Sequence, residues 1–118
     1  MWLLDTNVII KVPAKIRATF TSDRIKCSYI TVLEHPIAAK YTNIEIIYPN
    51  KEIWNQSLLL AIRLRTLGQI LPITDLIIGS TAIVSNITLV SDDQHFKPIH
   101  SINPKLMTIT QQEFETYL

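Results

Sequence analysis

The sequence predicts a three-layer α/β/α fold on a central parallel sheet of about five short strands. Three observations carry this expectation. Short β-rich apolar runs alternate with helical patterns along the chain, as parallel strands joined by crossover helices require. Two of those runs, Trp2–Leu4 and Ile87–Val90, stop abruptly at carboxylates: Asp5 after the first, Asp92 and Asp93 after the second. Between them lies an apolar segment of helix length that opens at Thr74 or Asp75, both good N-terminal residues.

Taken in order, Trp2–Leu4 is a strand that ends in Asp5-Thr6-Asn7, where Asp5 reads equally well as helix cap or ligand. Val8–Ile10 and Ala14–Phe20 read as helix interrupted at Pro13. Lys11, Lys15, Arg17, Arg24 and Lys26 are opposed only by Asp23, which favours a solvated helix face over a phosphate-binding rim. Ile25–Cys27 is the second strand. Ser28 caps a helix through Thr31, Val32, Leu33 and Glu34 that Pro36 ends or kinks. Glu34 has apolar neighbours, unusual company for a surface acid, although alone it still reads as one. His35 and His95 each neighbour an acid, yet neither HxxxH nor HxH spacing occurs, so zinc is a weak reading.

Ile44–Tyr48 alternates as a third strand. Asn50 caps a longer amphipathic helix with Ile53, Trp54, Leu58, Ala61, Ile62 and Leu64 assigned to its apolar side and Gly68 to its stop. The helix opening at Thr74 or Asp75 runs to Val84. Ser85-Asn86 supplies a turn, and Ile87–Val90 follows as a strand. Leu106–Ile109 is the last strand, and Thr110 with Glu113 forms a capping box for a C-terminal helix.

The 118 residues are read as one domain, 1–118, with a single core. Hydrophobic residues make up 47% and mean hydropathy is +0.22, rich enough to predict a self-associating or partner-covered face. A net charge of +1 gives no strong nucleic-acid footprint, but does not exclude one when the acids gather in a single site. Cys27 is the only cysteine, which excludes a disulfide framework and a thiolate cluster. No basic leader or membrane-length apolar stretch is present, so a cytoplasmic location without membrane contact is expected.

Simple lengths bring the acids together. About ten helical residues at roughly 1.5 Å each carry the chain some 15 Å from Asp75. About five strand residues at roughly 3.3 Å each bring it back. Asp75 and either Asp92 or Asp93 should meet at the carboxyl edge of the sheet, where parallel folds place their sites. Asp5 ends a strand at that edge and Glu34 lies just past another. Topology alone thus gathers four of the ten acidic residues. Clustered carboxylates at a buried edge are costly unless a cation holds them, so a metal site is expected. Hard oxygen ligands select Mg2+ or Mn2+.

The same residues resemble the PIN-domain nucleases, particularly the small toxins of VapBC-type toxin–antitoxin pairs. The motifs that carry the resemblance are LLDTN at Leu3–Asn7, SYITVLE at Ser28–Glu34, LPITDLIIGSTA at Leu71–Ala82 and LVSDDQHF at Leu89–Phe96. In the last, Ser91 takes the family's hydroxyl position, Asp93 its acid and Phe96 its aromatic; Asp92 is an extra carboxylate with no assigned role. The resemblance implies a PIN-like fold with Asp5, Glu34, Asp75 and Asp93 as the catalytic and metal-binding quartet. Asn7 and Ser91 are implied as supporting polar groups. It further implies a Mg2+- or Mn2+-dependent endoribonuclease acting on RNA, a homodimer and a cognate antitoxin. The segment between Glu34 and Ile44 is short where most relatives carry additional helix, so their dimer surface and antitoxin groove do not transfer position by position. The alternative from a different class is a catalytically weak PIN-like module for RNA or protein binding. A phosphotransfer domain fits less well: Asn7 stands where the dehalogenase type needs a second Asp, and no late strand-end Lys suits the receiver type.

Overall fold

The computed structural model describes residues 1–118. Its sheet contains β1 (Trp2–Leu4), β2 (Ile25–Ser28), β3 (Glu45–Ile47), β4 (Thr88–Val90) and β5 (Thr108–Ile109). They lie in the order β3-β2-β1-β4-β5, and every neighbouring pair is parallel. The helices are α1 (Thr6–Lys11), α2 (Ala14–Arg17), α3 (Tyr29–Glu34), α4 (Lys51–Thr66), α5 (Ile73–Ser85), α6 (Phe96–Ile102) and α7 (Gln111–Thr116), with a 3₁₀ turn over Pro36–Lys40. No helix is long and apolar enough to cross a membrane.

A parallel sheet must be covered on both faces, and strand alternation divides the core accordingly. Leu3 and Leu89 point into one cluster with Leu60, Leu64, Ile78, Phe96 and Ile99, from α4, α5 and α6. Leu4 and Val90 point into the other with Val8, Ile9, Ile25 and Phe114. Cys27 belongs to this second cluster, where burial pushes its thiol up to about 11, far from reactive thiolate chemistry. Chain order reverses between β1 and β4, and α/β sheets open a crevice outside the carboxyl ends of their strands at such a switch point.

α5 is the element that crosses the core. From Asp75 to Ala82 every residue is buried, as expected of a helix apolar on nearly all sides. It begins at Ile73, slightly before the expected Thr74 or Asp75, because Pro72 supplies a fixed entry with no side-chain cap. Gly79 lets α6 approach closely: a Cβ there would stand 3.1 Å from Ile99 Cδ1. Asn86 ends the helix in the left-handed region, at φ 54°, and turns the chain directly into β4. Ser28, Asn50 and Thr110 cap α3, α4 and α7 as expected, the last with a complete capping box.

Three expectations need correction. The second helical segment stops at Arg17 rather than Phe20, because Thr19 turns back onto Ile16 O and Phe20 leaves the helix to enter the core. α6 was not expected at all. It has Pro98 in its interior and no capping side chain, and it forms because Phe96 and Ile99 are buried. The inner face of α4 is Ile53, Ser57, Leu60 and Leu64, whereas Trp54, Leu58 and Ile62, assigned to the apolar side, lie exposed. The helix is apolar on both sides, and periodicity cannot choose between two apolar faces. β3, β4 and β5 are shorter than expected, β1 matches, and β2 runs one residue further, to Ser28.

The αL turn at Asn86 sets where β4 begins, and so where its carboxyl end delivers its residues. Asn86→Val should cost about 1–2 kcal/mol, because a β-branched side chain is poorly tolerated at positive φ, whereas Asn86→Gly should be close to neutral. Urea denaturation measures both; equal losses would mean that backbone conformation is not what Asn86 contributes.

Candidate metal centre

The crevice is built outward from the ends of β1 and β4. Asp5 follows β1 directly and caps α1: its Oδ1 accepts from Thr6 N at 2.8 Å. Its Oδ2 accepts from Ser91 Oγ at 2.8 Å, a bond between residues far apart in sequence that the β1–β4 pairing brings side by side. Ser91 Oγ in turn accepts from Asp93 N at 3.0 Å. One hydroxyl thus fixes both the Asp5 carboxylate and the backbone that carries Asp93. Asp5 is only 5% exposed.

Glu34 reaches the crevice from the end of α3. Its Oε1 accepts from Thr6 Oγ1 at 2.7 Å, and Thr6 Oγ1 also lies 3.0 Å from Thr31 Oγ1. Thr6 therefore ties Glu34 to the turn that holds Asp5. Asp75 sits in the first turn of α5, a favourable place for an anion, and its Oδ2 is 2.8 Å from His95 Nδ1. Asp93 Oδ1 accepts from His95 N at 2.9 Å and stands 3.4 Å from His95 Nδ1. Potential ligand atoms of Asp75, Asp93 and His95 all lie within 4.8 Å of one another.

Two ambiguities in the sequence are thereby resolved. Asp92 turns to the other side, where its Oδ1 accepts from Gln111 N and anchors the start of α7. Asp93 is the acid that faces Asp75 and His95. Ser91 supports the carboxylates as expected, but Asn7 does not: it is exposed, makes no side-chain hydrogen bond, and lines a small cleft with Lys11, Asp93 and Gln111. Sequence reasoning missed Thr6 and His95 as members of the cluster. His95 was judged by histidine–histidine spacing, whereas the informative feature was its place just after Asp93 in the turn leading into α6.

The electrostatics are those of buried acids close to one another. Asp5 is raised above its ordinary value of 3.8 by burial first, against the lowering effect of the Ser91 and Thr6 hydrogen bonds, with Asp75 and Asp93 adding repulsion. Asp75 is raised likewise, chiefly by burial, with repulsion from Asp93 and Glu34 outweighed in rank by the hydrogen bond from His95. His95 is raised from 6.5, first by its hydrogen bond to Asp75 and then by the charge of Asp93. The chemistry of the donor set, carboxylate oxygens with one imidazole nitrogen, suits a divalent cation.

No protein-family model matches this chain, and no curated protein sequence matches it. Solved structures do. A chain of VapBC-1 from nontypeable Haemophilus influenzae is similar at a TM-score of 0.75 and 24% identity, over 94% of this chain and 98% of that one. VapBC2 from Rickettsia felis, bound to a DNA fragment from its promoter, gives a TM-score of 0.71 at 23% identity, over 92% and 97% of the two chains. DNA-bound VapBC from Salmonella typhimurium gives 0.72 at 18% identity, over 93% and 97%. The likeness at these identities is one of fold, and the fold is PIN-like α/β.

The raised carboxylates make a prediction for the metal-free protein. An acid whose folded value exceeds its unfolded value contributes stability below the unfolded value and loses it as pH rises through the folded one. In EDTA, Asp75→Asn should therefore melt higher than the wild type above the titration range of His95. The difference should shrink as pH falls below 3.8. Paired thermal melts across that range check it, and a variant less stable than wild type at high pH would contradict it.

Proposed function

We propose that this protein is a metal-dependent endoribonuclease and the toxin component of a type II toxin–antitoxin pair. One observation carries the reading: Asp5 and Asp75 are buried acids at the switch point, Asp75 and Asp93 beside each other and both near Asp5, with Glu34 also close enough to repel Asp75. Such an arrangement is costly without a cation and useful with one. The PIN-like fold shared with the VapBC chains supports the same reading.

When bound, Mg2+ or Mn2+ supplies Lewis acidity toward a phosphodiester oxygen and lowers the pKa of a coordinated water. The protein's own groups would do the rest. Asp5 and Asp75, the most buried of the acids, would hold the ion directly. Asp93 would complete the shell, and Ser91 keeps Asp5 and Asp93 in fixed relation. Glu34, exposed and held only through Thr6, would orient a water and take its proton as the water oxygen bonds phosphorus and the P–O bond to the leaving ribose oxygen breaks. Clefts on either side of Asp93 carry one lysine each, Lys11 on one and Lys97 on the other. Neither lysine is in a salt bridge, which leaves both ammonium groups available to phosphates flanking the scissile one.

The exposed Trp54, Leu58 and Ile62 on α4 supply an apolar face for homodimerisation. A cognate antitoxin is expected by analogy with the VapBC and other toxin–antitoxin complexes that share the fold.

The test is cleavage of labelled single-stranded RNA by purified protein with Mg2+, Mn2+ or EDTA. Cleavage should require metal, fall by about 10–100-fold in Ser91→Ala, whose hydroxyl only orients the acids, and fall further in Asp75→Asn. Undiminished cleavage by Asp75→Asn would contradict the assignment. Absence of cleavage with either metal would favour an RNA-binding or protein-interaction module. For association, light scattering at micromolar concentration should return a dimer mass, and Leu58→Asp should return a monomer mass; a monomeric wild type removes the homodimer.

A further inference from the structure

We infer that His95 is a nitrogen ligand of the metal centre, and that this centre consequently selects Mn2+ or a similar first-row transition ion over Mg2+. The inference rests on the metal-dependent reading above and narrows it to a class of ion.

Geometry is the first support. His95 Nδ1 lies 2.8 Å from Asp75 Oδ2 and 3.4 Å from Asp93 Oδ1. Neighbouring donors on an octahedral ion with bonds of about 2.1 Å stand roughly 3.0 Å apart. The 2.8 Å contact is a hydrogen bond as the protein stands, and both separations are close enough for the three groups to meet one ion. An ion held by Asp75 and Asp93 would have His95 Nδ1 within reach as a third donor.

The imidazole is also held in place by the chain. His95 N donates to Asp93 Oδ1 at 2.9 Å, which closes a tight turn around the acid. The next residue, Phe96, is 2% exposed in the core and anchors that turn from the other side. Backbone and neighbour thus direct the ring toward Asp75. Without the ion, Nδ1 donates to Asp75 Oδ2; ligation would replace that hydrogen bond, with the ring proton on Nε2, which makes no protein hydrogen bond.

Donor chemistry then decides the ion. Mg2+ favours oxygen donors and sheds water reluctantly, whereas an imidazole donor favours transition ions. An oxygen-only quartet would leave the choice between Mg2+ and Mn2+ open. A nitrogen on the same ion tilts it toward Mn2+. The competing role for His95 is that of a protonated counter-cation standing between Asp75 and Asp93, which would oppose metal entry. The two roles predict opposite effects of removing the ring.

The experiment is pulsed electron paramagnetic resonance of the full chain loaded with Mn2+, together with calorimetric titration of Mn2+ and of Mg2+. Wild type should show nitrogen hyperfine coupling to bound Mn2+, and His95→Gln should lack it. The variant should bind Mn2+ about tenfold more weakly while Mg2+ affinity changes little. Bound Mn2+ without nitrogen coupling, or tighter Mn2+ binding by His95→Gln, would overturn the inference and leave the metal-dependent reading standing. If Mn2+ does not bind wild type at all, both fall. The spectrum of the wild type decides independently of how the variant folds.

Discussion

The register between β1 and β4 is the constraint on which the site depends. Leu3 pairs with Leu89 and Leu4 with Val90, so each strand ends level with the other. The ladder continues past both ends, with Asp5 N donating to Val90 O and Ser91 N to Ile109 O. That alignment makes the Ser91–Asp5 hydrogen bond possible, and through it fixes Asp93. A one-residue slip would turn Leu3 and Leu4 onto the wrong faces and separate the acids at the same stroke. The burial that holds the two cores in place is thus what holds negative charges together against their repulsion. Folding energy from apolar packing is spent on an electrostatically unfavourable crevice.

The remaining acids are delivered by helices whose positions follow from the same sheet. α5 crosses the core from Asp75 to the αL turn at Asn86 and feeds β4, so Asp75 and Asp93 return to one edge. α3 is capped by Ser28, the last residue of β2, and its short length ends it at Glu34. Thr6 then links Glu34 to the α1 turn. Asp5, Asp93 and Glu34 are positioned by Ser91 and Thr6, just past a strand and in the first turn of a helix, and Asp75 by His95 in the turn before α6. Little of the site depends on long, mobile loops.

What was legible in the sequence was whatever local chemistry announces. Asp5 and the Asp92–Asp93 pair could be placed because apolar strands stop at them, although Asp93 within the pair was picked out only by the resemblance. Asp75 was placed because helix and strand lengths return the chain to its starting level. The caps at Ser28, Asn50 and Thr110 were visible as residue types at fixed offsets. What depended on tertiary contact was hidden. α6 has a proline inside it and exists because Phe96 and Ile99 are buried. The inward face of α4 is selected by the partners at Leu60 and Leu64, not by its own pattern. The division of labour between Asp92 and Asp93 required knowing that Gln111 N lies beside one and His95 beside the other.

The central claim is that the crowded carboxylates form a cation site. Melting temperatures of the wild type and Asp75→Asn, each in EDTA and in saturating Mg2+ or Mn2+, test it most directly. A ligand that binds only the folded state raises its stability in proportion to the logarithm of saturation. The wild type should therefore gain markedly more from the ion than the variant. Equal shifts in the two proteins would contradict the claim, because the ion would then be acting somewhere other than this crevice.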